Sequence, residues 1–209
     1  MKRIILIFLS IIFLFIPMAY ADFKIGPNFR VSDDGTVGNF YGVDYLPIGW
    51  ALNGTTGPNQ LTALDSTNKA NYRDFSGAAD NDVFFEWQVP YGIDTTTGIT
   101  FQVEGWITNA TAPADTETVK FVLSGVSIGD SELLSSAQGA AITVTKTFDD
   151  SYVQYDRFIS GYSGTVTIAG LSAGETVIFL FKRDTTDTYA QSIGVGWLKI
   201  KYKMTFLAS

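Results

Sequence analysis

The chain contains neither histidine nor cysteine, which removes most of the side chains that carry chemistry near neutral pH. Serine–histidine and cysteine nucleophile systems are excluded, as are zinc sites built from histidine or cysteine. No glycine-rich phosphate loop of either standard pattern occurs. Carboxylate chemistry remains. Glu86 and Glu104 lie on the polar faces of two strand-like segments, beside Trp87 and Trp106. If those strands are neighbours, Glu86, Gln88, Gln102, Glu104 and Trp106 share one surface. Paired acids with an aromatic platform would suit glycoside hydrolysis or sugar binding. Acids on the wet side of amphipathic strands are also what alternation alone demands. No residue is therefore assigned a catalytic role, and Glu86, Glu104 and Trp106 stand as binding candidates.

Two further groups could hold a ligand. Asp33-Asp34, Asp149-Asp150 and Asp184-Thr185-Thr186-Asp187 gather acids in loop-like stretches. Calcium takes several oxygens from flexible loops, so it is the one cofactor these stretches would accept, with Asp184 and Asp187 as the metal candidates. None matches an EF-hand, and the same residue types close turns unaided. Tyr152, Tyr155 and Tyr162 sit close together near Arg157. Tyrosine offers an apolar face with a polar tip, which serves sugars and protein interfaces alike. Tyr152, Tyr155 and Arg157 join the binding candidates.

The elements that must position these residues are strands. Apolar residues recur with period two between turn-forming clusters, the pattern of a sandwich or barrel. Over 83–89, one face carries Val83, Phe85, Trp87 and Val89. Over 99–107, one face carries Ile99, Phe101, Val103 and Ile107. Further strands are expected over 119–126, 141–148, 152–160, 165–169, 176–182 and 193–206. The stretch 176–182 is nearly all apolar and reads as a central strand covered on both sides. In the last strand, Leu198, Ile200 and Tyr202 share one face and Trp197, Lys199 and Lys201 the other. Asp94-Thr95-Thr96-Thr97-Gly98 reads as a turn, and 131–137 has room for one helical turn. About eight strands follow Val83. Half-apolar strands cannot bury one face alone, so they must pack as two sheets or close on themselves. A jelly-roll-like antiparallel β-sandwich is expected, with an immunoglobulin-like sandwich as the alternative. With no cysteine, the latter would lack its usual signature.

The amino-terminal region is of a different kind. Lys2 and Arg3 precede an apolar run over 4–16, broken by Pro17 and followed by Ala19-Tyr20-Ala21. That is the layout of a secretory signal peptide cleaved after Ala21, and the run is too short to span a bilayer. The mature chain is expected to begin at Asp22, with no membrane span, and to be secreted. Loss of Lys2 and Arg3 leaves 12 basic residues against 21 acids, a net charge of −9. Nucleic-acid binding, which needs a basic footprint, is excluded, and adhesion to anionic lipid is disfavoured. Asp34-Gly35 between β-prone segments predicts a hairpin over 23–43, and 53–59 reads as a long loop. The expected organisation is a signal over 1–21, an N-terminal β-hairpin extension or collar over 22–77 and the sandwich over 78–209.

Two stretches carry a resemblance. Phe29-Arg30-Val31-Ser32-Asp33-Asp34-Gly35-Thr36-Val37 resembles the short β collars that precede the tip domains of phage tail fibres. Gly174-Glu175-Thr176-Val177, Phe181-Lys182-Arg183-Asp184, Asp187-Thr188-Tyr189-Ala190 and 196–202 are similar to the closing strands of jelly-roll domains in virion and tail-fibre proteins. The resemblance implies a homo-oligomer, typically a trimer, that binds host-surface glycans or packs against virion parts. The signal peptide departs from that pattern. An exported, non-enzymatic structural or attachment module is the expectation, on a virion, filament or cell surface. The alternatives are a secreted carbohydrate-active enzyme using Glu86 and Glu104, and a surface-filament subunit assembled by strand addition.

Overall fold

The structure, a computed structural model, describes residues 23–24, 30–31, 40–61 and 69–205. The chain forms two compact units, residues 1–41 with 206–209 and residues 42–205. In the first, β1 (Phe23–Lys24) pairs antiparallel with β2 (Arg30–Val31). The Asp34-Gly35 turn lies outside the described residues. The strand that follows it is β3 (Phe40–Pro47). It pairs with the last strand of the second unit, β13 (Ile193–Met204), through which its residues beyond 41 enter the sandwich.

The remaining strands are β4 (Leu52–Asn53), β5 (Asn59–Leu61), β6 (Tyr72–Phe75), β7 (Asp82–Gln88), β8 (Ile99–Trp106), β9 (Thr118–Ile128), β10 (Ile142–Thr147), β11 (Arg157–Ile159) and β12 (Thr176–Arg183). They form a five-stranded sheet, β10-β9-β12-β7-β4, and a six-stranded sheet, β11-β8-β13-β6-β5, with β3 also on β13. The pairing is nested: β9 joins β10, β8 joins β11, β7 joins β12 and β6 joins β13. One long antiparallel hairpin rolled across two sheets in this way is a jelly roll. The fold is all-β and antiparallel, with β3, β4 and β5 widening the eight-stranded core. Among the described residues no helix is long and apolar enough to cross a membrane.

Period-two burial explains the sheets. In β12 the residues Val177, Phe179, Phe181 and Arg183 point inward and alternate with half-buried Ile178 and Leu180. The strand is central, between β7 and β9. Phe75 from the six-stranded sheet meets Phe121 and Phe181 from the other at 6.2 and 5.5 Å, and Phe121 stacks on Phe158 at 6.3 Å. Edge-to-face and offset ring pairs of this kind tie the two layers.

Several expected elements differ. The region 22–77, read as an extension, supplies β4, β5 and β6 to the two sheets. The stretch 165–169 forms no strand. It makes one bridge to each sheet, Val166 to Ile99 and Ala169 to Val126, and buries Val166 and Ile168 across the end of the sandwich. Its alternation is met by burial alone. Residues 131–137 form turns without a helix. The turn at Asp94 forms as expected: the Asp94 Oδ1 accepts the Thr96 N–H at 3.1 Å and its hydroxyl at 2.6 Å. Gly98 closes it at φ +64°, where a Cβ would also meet the Val166 carbonyl oxygen at 2.6 Å.

Candidate functional site

The connection over 89–98 carries the chain from the five-stranded to the six-stranded sheet, so β7 and β8 are not neighbours. Glu86 pairs with Ile178 on the outer face of the five-stranded sheet. It rims a cleft of about 390 Å³ beside Trp50, Leu52 and Phe84. Glu104 lies in the other sheet, between Ile159 of β11 and Trp197 of β13, and is ion-paired to Arg157. The two acids do not share a surface, which corrects the paired-acid expectation. Glu104 is buried by its neighbours and neutralised by a largely exposed guanidinium.

Glu86→Gln and Glu104→Gln are accordingly expected to leave the fold intact. Urea denaturation should shift by no more than about 0.5 kcal/mol for Glu86, a surface change, and by about 1 kcal/mol or less for Glu104, whose arginine is mostly solvated. Reducing-sugar release from polysaccharides should equal the buffer background for the parent and both variants. An activity of the parent that either variant lowers more than about 100-fold would instead identify a catalytic acid.

The metal candidates are separated by their bonds. Asp187 gives both carboxylate oxygens to Arg183, at 2.8 and 3.1 Å. The Asp184 Oδ1 accepts the Thr186 N–H at 2.9 Å, and that backbone bond, with other contacts, holds its carboxyl below the ordinary range. The Asp149 Oδ1 accepts the Ser151 N–H at 3.0 Å in the same kind of turn. Asp33 and Asp34 lie outside the described residues. Among the described residues no three carboxylates gather to hold an ion.

The other binding candidates divide. Tyr152 packs edge-on against Phe148 at 5.1 Å with the Lys146 ammonium 4.9 Å from its ring, and belongs to the rim of the core. Tyr155, at φ +73°, is half exposed. Burial, then Asp74, then Tyr155 push the Tyr72 hydroxyl above its ordinary pKa. Tyr72 in turn sits 6.1 Å from Trp106. A Cβ at Gly196 would collide with the Trp106 ring, so the indole lies directly over the irregularity between Val195 and Trp197.

Trp106, Glu104 and Arg157 thus share the outer face of the six-stranded sheet, and that face carries more than the sequence reading assigned. Trp197, Lys199 and Lys201 point outward two residues apart, opposite Glu104, Gln102 and Thr100 of β8. Tyr45 comes from β3 and Tyr162 from the segment after β11. The Lys199 ammonium lies 5.6 Å from the Tyr45 ring centre and 5.5 Å from that of Tyr162, and Lys201 lies 5.5 Å from Tyr162. A hydrogen bond with the Tyr162 hydroxyl raises the Lys199 ammonium above its ordinary pKa. Tyr45, Tyr162 and Trp197 are 54%, 41% and 41% exposed.

This face is held in place. Where the chain after β11 leaves regular pairing, the Ser160 and Ser163 hydroxyls accept the Val103 and Phe101 N–H groups, each at 2.9 Å. The backbone N–H groups of the same serines donate to the Val103 and Phe101 carbonyls at 2.9 and 2.8 Å. The loop that carries Tyr162 is therefore clamped to β8. On the other side, the Asp44 carboxylate accepts the Trp87 indole N–H at 2.8 Å, fixing β3 and Tyr45.

No family model matches the chain, and no curated protein matches it. Solved structures with a similar course include an isomaltodextranase of Arthrobacter globiformis T6 complexed with panose. Identity there is 16% and the TM-score 0.45, over 76% of this chain and 23% of that one. The mosquito-larvicidal Cry4Aa toxin of Bacillus thuringiensis is 10% identical at a TM-score of 0.44, over 78% of this chain and 24% of the toxin. CBM35 from Cellvibrio japonicus Abf62 is 8% identical at a TM-score of 0.39, over 78% of this chain and 99% of the module. The chain spans about a quarter of the first two.

Proposed function

We propose that this chain is an exported, non-enzymatic attachment module that holds surface glycans on the outer face of its six-stranded sheet. One observation carries the reading. Tyr45, Tyr162 and Trp197 come from three distant stretches of chain and are held half exposed on one face, each with a neighbouring polar or cationic group. Apolar rings left in water forgo the stabilisation of burial, and a contiguous exposed patch marks a contact surface. Flat rings with polar rims suit sugars, which present C–H faces edged by hydroxyls. The Lys199 ammonium supplies hydrogen-bond donors between the two tyrosines. Hydrolysis is not part of the proposal, because the two candidate acids, Glu86 and Glu104, lie in different sheets and two-carboxylate hydrolysis needs both at one bond.

Affinity electrophoresis against a panel of soluble polysaccharides tests it. Trp197→Ala and Tyr45→Ala are each expected to weaken retention by about 10-fold or more, the loss of a central aromatic anchor. Both should leave the thermal midpoint close to that of the parent. Leu133→Ala, at an exposed loop away from this face, should change nothing. Retention by no polysaccharide, or retention indifferent to both aromatic changes, would defeat the proposal.

A further inference from the structure

We infer that the same face selects glycans bearing carboxylates, with Lys199 and Lys201 as the groups that recognise them. The inference rests on the glycan-binding reading and adds the chemical class of ligand. It starts from where the charges lie. The chain has 21 acids against 14 bases, yet Lys199 and Lys201 stand two residues apart on one outward row. Among the described residues, Lys199 takes part in no ion pair. Its ammonium is held between the rings of Tyr45 and Tyr162.

The outward positions nearest to it carry no carboxylate. Gln102 and Thr100 face the two lysines from β8, and Tyr45 and Tyr162 flank Lys199 from the two sides. Glu104, the next outward residue on β8, is committed to Arg157. A cation–ring contact orients an ammonium but leaves its charge uncancelled. A sugar lying beside Tyr162 would place a ring carboxylate within reach of the Lys199 ammonium, where charge-assisted hydrogen bonds form, with Lys201 adding positive charge alongside. The two tyrosines thereby do two jobs: they support the sugar ring and aim the cations that read its acid.

The test compares polygalacturonate with the same polymer after carboxyl reduction, using the full chain in affinity electrophoresis and titration calorimetry. Retention by polygalacturonate is expected to be at least about 10-fold tighter than by the reduced polymer. The double variant Lys199→Gln with Lys201→Gln should bind both polymers alike, at the level the parent shows for the reduced one. Thermal unfolding of that variant provides the fold control, and Lys146→Gln, on a different sheet, should keep the preference. Equal retention of both polymers by the parent would overturn the carboxylate inference and leave glycan binding standing. A preference that survives the double substitution would also overturn it. Retention of neither polymer, with no neutral polysaccharide of the panel retained, would overturn both readings together.

Discussion

Replacing Arg183 by Ala is expected to cost about 3–5 kcal/mol of stability, the effect of leaving one member of a buried ion pair alone. Arg183 is fully buried at the end of β12, pointing between the sheets. Its Nε and Nη2 donate to the two Asp187 oxygens at 2.8 and 3.1 Å. Its Nη1 donates to the Phe75 and Gln191 carbonyls at 3.1 and 2.6 Å, and Nη2 also to the Tyr189 carbonyl. Alanine would strand a carboxylate that is 1% exposed, together with three carbonyls. For a domain of this size about 2–4 °C is lost per kcal/mol, so the thermal midpoint should fall by roughly 6–20 °C. The double variant Arg183→Met with Asp187→Leu removes both charges and should be less damaging than Arg183→Ala alone. Urea denaturation of the three proteins decides it. A single variant no less stable than the double would mean that water reaches Asp187.

Phe121→Ala is expected to cost about 3–5 kcal/mol by a different route, lost burial together with the cavity left behind. Phe121 is fully buried on β9 and touches Phe75, Phe158 and Phe181 at 5.5–6.3 Å. It therefore joins both sheets. Phe121→Leu should retain part of the loss, because the smaller change leaves a smaller cavity. A drop of less than about 1 kcal/mol for Phe121→Ala in urea would show that the neighbouring rings collapse into the space.

Much of the sandwich was legible because alternation reports burial directly. Val83, Trp87, Ile99, Phe101, Val103, Leu198 and Ile200 all point inward as their spacing requires. Alternation tells which side of a strand is wet, but not which sheet the strand joins. Glu86 and Glu104 look equivalent on that criterion and lie in different layers. β6 was hidden because Tyr72-Arg73-Asp74-Phe75 mixes aromatic and charged residues on both faces, and only its pairing with β13 makes it a strand. Tyr45 was missed for a similar reason. Its outward neighbours on the face, Trp197 and Tyr162, are brought there by long-range pairing that no local window contains. The strand over 176–182 was read one residue short, so Arg183 was not recognised as the next inward position after Phe181. Asp187 accordingly looked like a free loop acid.

The nested pairing also dictates an order of events during synthesis. β13 lies between β8 on one edge and β6 and β3 on the other, and every one of those partners precedes it in the chain. While β13 is still inside the ribosome, β6 and β8 have emerged with open edges and the six-stranded sheet cannot close. Such long-range pairing is slow to form, and the waiting strands are prone to join the wrong neighbours. The same delay makes the nascent chain dependent on whatever shields its bare strand edges until β13 clears the ribosome.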